Sequence, residues 1–298
     1  MSTLFSHFFG KNNKIAPQEA EYTEVLSAIA LVPKMLYFYG KIPEKRVKTV
    51  AIVGTRRPTE YGREVAYQLG LAAAQAGAVV VSGLAYGLDS VAHRAALDAG
   101  GVTLAVLGTP IDEIYPRAHE RLAAEIVEKG GAVLSELAPG EVYHRQACFL
   151  QRNRIIAGLA DVVVIVEAAA RSGSLNTAAH ALEQGREVMA VPGDIRRPLS
   201  EGCNRLIRQG AMPCLGTEDL LEMLFPERRR RSRRAVEVVG ESEAETAVLR
   251  ELVKGSKDGA ELLEKLGMEV AELNQTLTLL EIKGRVLALG ANKWAFKQ

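Results

Sequence analysis

Cysteine is scarce in this chain: Cys148, Cys203 and Cys214 are the only three in 298 residues. They are far apart, odd in number and lack metal-ligand spacing, so neither a disulfide frame nor a zinc-type site is predicted, and the reading is of a protein for a reducing cytoplasm. Long apolar runs are missing too, which excludes a membrane helix of about 20 residues. The opening MSTLFSHFFGKNNK has no charged n-region, so no signal peptide is expected. Charge excess is absent: 37 Lys and Arg stand against 36 Asp and Glu. Bulk charge therefore does not mark a polyanion binder, and only the placement of charge can. No G-x-x-x-x-G-K-[ST] occurs, which excludes a P-loop NTPase. His93, His119, His144 and His180 are scattered, and no paired carboxylates fall at strand ends. No enzyme, metal or cofactor is expected on these grounds.

What is present begins at KTVAIVGTRRPTEYG. Val50, Ala51, Ile52 and Val53 form a short apolar run that stops at Gly54, Arg56 and Arg57 follow, and a helix opens near Thr59. A buried strand, a basic turn and a helix make the first unit of a doubly wound α/β sheet. The unit repeats, with strands predicted at 50–53, 78–81, 102–107, 132–134, 162–166 and 188–191 and helices at 64–76, 88–99, 118–129, 147–159, 175–184 and 202–209, closed by 217–224. The strands are rich in Val, Ile and Leu without polar alternation, as in a mostly parallel sheet covered on both faces. The expectation is α/β, an extended Rossmann-like sheet spanning 46–226, after a short helical lead-in at 1–45. Within that lead-in Tyr22, Leu26 and Ile29 share a helical face, and Leu36, Tyr37 and Tyr39 read as a packing arm.

An Arg-rich linker, 227–240, holds Arg228, Arg229, Arg230, Arg231, Arg233 and Arg234. It reads equally as a contact to a nucleic acid backbone or as a solubilising tether. Residues 241–298 read as three helices and a hairpin, a small winged-helix domain. Ten acidic against eight basic residues there argue for protein contact or packing rather than phosphate tracking.

The strand-end turns carry most of the polar residues that could bind. Arg56 and Arg57 follow the first strand, and Gly83 lies in the Gly-rich turn after the second. Arg117 ends the long segment after the third; Arg145, Phe149, Arg152 and Arg154 follow the fourth; Ser172, Gly173 and Ser174 follow the fifth. In a parallel sheet these residues share one rim, and a cationic rim with Gly/Ser turns opening helices is a phosphate-binding surface. Phe149 beside guanidinium groups has the composition that clamps single-stranded nucleic acid, and it fits a core position equally well. Asp89 and Glu167 read either as site acids or as a helix cap and a surface charge.

Together the motifs resemble the DNA-processing protein A (DprA, or Smf) family. The resemblance rests on VGTRRP at 53–58, SGLAYGLDSVAH at 82–93, YPR at 115–117, FLQRNRIIAGLADVVVIVEA at 149–168, RSGSLNTA at 171–178, AVPG at 190–193 and EGCNRLIRQGA at 201–211. It implies a dimeric, non-enzymatic protein that binds single-stranded DNA, shields it and loads the RecA recombinase onto it in natural transformation. It also implies that Arg56, Arg117, Arg152 and Arg154 hold phosphates with help from backbone amides of the Gly54, Gly83 and Ser172–Ser174 turns, that Phe149 wedges among bases, and that Asn153 belongs to the same RNR motif. Two departures stand out. Gln146 occupies the position where some members carry a DNA-contacting lysine, with Arg145 next to it, and the N-terminal region is short for a sterile-alpha-motif-like domain. Two rival readings remain. A phosphoribohydrolase-like nucleotide-processing enzyme lacks its PGGxGTxxE motif here, where Pro192-Gly193-Asp194 continues Ile-Arg-Arg. A double-stranded DNA regulator acting through the winged helix meets an acidic third helix.

Overall fold

The computed structural model describes residues 12–227 and 240–297 except 254 and 256. The Arg-rich linker expected at 227–240 lies almost wholly outside the described residues. Two compact units divide at Pro226/Glu227.

The first unit is built on a nine-stranded sheet. Its strands are β1 (Asn13–Ile15), β2 (Leu36–Gly40), β3 (Thr49–Val53), β4 (Val79–Ser82), β5 (Thr103–Leu107), β6 (Ala132–Ser135), β7 (Val162–Ile165), β8 (Glu187–Ala190) and β9 (Met212–Pro213). They lie in the order β1-β2-β6-β5-β4-β3-β7-β8-β9. From β6 to β9 every pairing is parallel. The chain leaves β3 through β4, β5 and β6 in one direction, then returns to the other side of β3 as β7. That reversal is the topological switch point, where α/β sheets place their ligands.

The helices α1 (Glu60–Gln75), α2 (Leu88–Asp98), α3 (Glu120–Glu128), α4 (Arg145–Leu159), α5 (Ser174–Glu183), α6 (Glu201–Arg208) and α7 (Thr217–Leu224) cover both faces. Side chains alternate along a strand, so β3 sends Val50 and Ile52 to one face and Ala51 and Val53 to the other. The first pair packs with Leu69 of α1 and Ala92 of α2. The second packs with Ile155 and Leu159 of α4 and Ala181 of α5. Each fully buried aliphatic side chain contributes about 1.5–3 kcal/mol.

The N-terminal segment departs from the helical expectation. Tyr22 and Leu26 are buried against the α4 face, but the chain there forms short 3-10 turns at Pro17–Glu19 and Glu24–Ala28. Leu36 to Tyr39, expected as a packing arm, is a strand of the sheet: β2 pairs antiparallel with β6 and carries β1 on its outer edge. The aromatic run Leu-Tyr-Phe-Tyr favours the pleated surface. The chain therefore enters the sheet before the first predicted strand.

The second unit holds α8 (Glu243–Val253), β10 (Lys257–Asp258), α9 (Gly259–Leu266), α10 (Val270–Ile282), β11 (Val286–Gly290) and β12 (Lys293–Phe296), with sheet order β10-β12-β11. The three helices and the hairpin follow the predicted order, and β10 is added. The unit has its own core of Val248, Leu252, Leu262, Leu277 and Val286.

Candidate nucleic-acid interface

Helix α4 organises the site. His144 caps it, its Nδ1 accepting from the Ala147 amide at 3.4 Å. From Arg145 to Gln151 the helix is exposed or half-buried; from Arg152 to Leu159 every residue is buried. The helix therefore stands proud of the strand ends with its first half and enters the core with its second. Arg152, Asn153 and Arg154 sit at the junction, where buried polar groups require partners.

Each of the three is tied to a different strand-end turn. Arg152 Nη1 donates to the carbonyl of Gly83 at 2.8 Å and also to that of Val106. Asn153 Nδ2 donates to the carbonyl of Gly173 at 3.3 Å and to Asn176 Oδ1 at 3.1 Å. Arg154 Nη2 donates to both carboxylate oxygens of Glu136, at 2.6 and 2.8 Å. Arg152 and Arg154, expected to hold phosphates, are thus both buried and bonded within the protein. Arg154 is 3 % exposed, paired and away from the cleft described below, so it fixes α4 to the β6 end. Arg152 does line the cleft, but its charge is buried, and burial lowers its pKa to about 10, opposed by nearby Asp89 and reinforced by Arg56. A Cβ at Gly83 would lie 2.5 Å from Arg152 Nη1, so any larger residue there must displace the guanidinium.

The amides of the basic turns are also largely committed. Asp89 is buried in the first turn of α2, where its Oδ2 accepts from the amides of Gly83 (3.1 Å) and Ala85 (3.4 Å). Burial raises its pKa, against the lowering effects of Arg152 and the two amides. The Thr55 amide donates to the Glu167 carbonyl at 2.8 Å. Glu167 is not a surface charge: it is 5 % exposed and accepts from the Thr59 amide at 2.9 Å and the Thr59 hydroxyl at 2.5 Å. Thr59 in turn caps α1 by accepting from Gly62 N at 3.1 Å. Glu167 thereby fixes the path of the Gly54–Arg57 turn. In the turn after β7 the Ser172 amide is bonded to the Ala169 carbonyl at 3.0 Å, and the hydroxyls of Ser172 and Ser174 bond each other at 2.7 Å.

These elements enclose a cleft of about 290 Å³ at the switch point. The β3 turn contributes Gly54 and Arg56, the β4 turn Asp89, the β7 turn Ser172 to Ser174, and α4 Phe149, Arg152 and Asn153. Phe149 also borders a smaller cleft lined by Tyr86 and Tyr115. The Arg56 guanidinium lies 5.7 Å from the centroid of the Phe149 ring. Phe149 and Tyr115 have ring centroids 5.5 Å apart at a 31° tilt, and Arg145 stands 4.6 Å over Tyr115. The result is a row of guanidinium, ring, ring and guanidinium across the top of the strand ends. Phe149 lies at this surface, half-buried, and owes its place to Gly108, where any Cβ would meet its ring and its Cα.

Among the predicted residues, Arg56 and Arg57 are exposed beside the cleft, and Arg117 is exposed farther along the same rim. Arg145 is exposed but pairs with Glu113 at 3.3 Å, and Gln146 is exposed and does not line the cleft. Tyr115 was missed as a site residue. Its signal was available, since it heads the Tyr-Pro-Arg motif two positions before Arg117. Among the described residues no cluster of His, Cys, Asp or Glu could hold a metal ion, and no helix is long and apolar enough to cross a membrane.

Comparison with known proteins places the chain. A family described as DNA recombination-mediator protein A matches residues 13–225. Protein Smf of Escherichia coli is 45% identical over 214 residues, covering 72% of this chain and 57% of that protein, so the chain spans little more than half the length of that relative. The crystal structure of DprA from Streptococcus pneumoniae superposes with TM-score 0.65 at 40% identity, over 72% of this chain and 75% of that one. A structure of DNA processing protein A from Helicobacter pylori, which describes that protein's single-stranded DNA binding mode, gives TM-score 0.62 at 31% identity over 68% and 93%. The chain belongs to the DNA recombination-mediator protein A family.

Proposed function

We propose that this protein binds single-stranded DNA across the switch-point cleft and delivers it to a RecA recombinase, acting as a homodimer in the cytoplasm and not as an enzyme. The row Arg56, Phe149, Tyr115 and Arg145 carries the reading. Rings accept bases by stacking without regard to sequence, and guanidinium groups pair with phosphates. Arg56, Arg57 and Arg117, exposed on the rim, supply the backbone contacts. Arg152 adds a buried positive potential beneath the cleft, and Arg154 serves by holding α4 in place.

Fluorescence anisotropy of a labelled oligonucleotide, single- and double-stranded, across a salt series tests this. The expected result is a strong single-strand preference that falls with salt, together with stimulation of recombinase filament assembly on the same strand. Equal binding of duplex and single strand would overturn it. Release of free base from nucleoside monophosphates would favour a nucleotide-processing enzyme.

A further inference from the structure

The cleft floor is not a uniform phosphate cradle. Asp89, Arg152 and Asn153 all line it and are all more than nine-tenths buried, at 6, 8 and 8 % exposure. Each has a polar atom facing solvent that its protein partners leave unclaimed, and Arg152 has in addition a sealed, unpartnered Nε. Asp89 Oδ2 accepts both turn amides, which leaves Oδ1 without a partner among the described residues. Asn153 Nδ2 is committed to Gly173 and Asn176, which fixes the amide orientation and leaves Oδ1 as a free acceptor. Arg152 Nη1 carries both of that residue's bonds, which leaves Nη2 as a free donor. None of these three atoms is among the sealed, unpartnered polar atoms, so each retains solvent access.

Two acceptors and one donor do not suit a phosphate, which can only accept from a donor and is repelled by a carboxylate. They suit a base edge. Thymine offers one N–H between two carbonyls, and adenine and cytosine each offer one exocyclic amino group beside a ring acceptor. Guanine alone presents two adjacent donors, N1–H and N2–H, beside an acceptor, O6. Buried polar groups impose selectivity because the wrong partner leaves them unpaired.

We infer that the cleft is a guanine-reading subsite: Asp89 Oδ1 and Asn153 Oδ1 accept from N1–H and N2–H, and Arg152 Nη2 donates to O6. The inference rests on the single-stranded DNA reading above and adds a base preference to it. The backbone and stacking contacts of the rim stay indifferent to sequence, and one flipped base per cleft is read.

The test uses the full chain and a set of thymidine oligonucleotides that differ at one central position: dG, dA, dC, dT or an abasic residue. The dG strand should bind about tenfold more tightly than the dT strand, a ratio that corresponds to about 1.4 kcal/mol. In Asp89→Asn the amide oxygen can keep the turn bonds while an NH₂ replaces the free acceptor, so the dG-to-dT ratio should fall to near one. Thermal melting checks that this variant is folded, and if it is not, the five-oligonucleotide series on the wild type still decides. Free dGMP should displace the probe better than dTMP. Equal affinity for dG and dT would overturn the guanine subsite while leaving single-stranded binding intact. Competition by dGMP alongside a flat oligonucleotide series would overturn it as a DNA-reading site and make it one for a free nucleotide. Failure of all five strands to bind would overturn the DNA reading itself.

Discussion

At the scale of single residues, polar side chains in this fold divide into those that meet solvent at the strand ends and those that brace the turns. Arg56 belongs to the first group. Arg56→Ala should weaken binding to every sequence and reduce the slope of log K against log salt by about one, measured by anisotropy. Phe149→Ala should cost about 1–3 kcal/mol of affinity through lost stacking, with little change in salt slope. His93 belongs to the second group. Its Nδ1 lies 2.7 Å from Thr103 Oγ1, which itself donates to the Val80 carbonyl at 2.7 Å, so Nδ1 carries a proton and donates it to the hydroxyl. Burial, with smaller contributions from His119 and Arg152, lowers its pKa from 6.5 to about 3. The unfolded chain therefore binds a proton that the folded chain refuses. Stability from this residue is complete above pH 6.5 and is lost progressively as pH falls toward about 3, with a slope of at most about 1.4 kcal/mol per pH unit. Urea melts between pH 7 and 4 should show that slope, and His93→Gln should flatten it.

At the scale of elements, α4 is the part whose position the site depends on. Gly108 permits its approach, and Gly108→Ala would drive a methyl group into Phe149. The expected outcome is a loss of about 1–3 kcal/mol of stability from overpacking, with weakened DNA binding in the fraction that remains folded. This scale also shows what sequence could reveal. The six central strands were legible because each is a short Val, Ile and Leu run, and the helices because glycines such as Gly77 and Gly100, at φ +89° and +69°, end them. Strand β2 was not legible: an aromatic stretch signals burial without saying against what, and its antiparallel partner lies nearly a hundred residues away. The two residues of β9 are too few to form a pattern. The rim was legible as a line of arginines, but the split between Arg56, which is exposed, and Arg154, which is sealed, was not. That split depends on Glu136 lying beneath α4 and on where the helix crosses from solvent into the core.

At the scale of the whole molecule, the two units have separate cores, and the cleft and its aromatic row belong entirely to the first. A chain ending at Pro226 should therefore retain single-strand preference, checked by anisotropy alongside the full chain. The salt slopes of the two then report whether the arginines beyond Pro226 add phosphate contacts: equal slopes mean they add none. The row of guanidinium groups and rings has a further consequence. Arg56, Tyr115 and Phe149 come from three separate excursions of the chain, after β3, after β5 and after β6, and they meet only when the sheet between them is assembled. No contiguous peptide cut from this sequence can reproduce the row, and a single backbone nick that separates those excursions would scatter it. Affinity for a strand is in that sense a census of native molecules, and a bound oligonucleotide should raise the melting temperature of the first unit as a whole rather than of any loop within it.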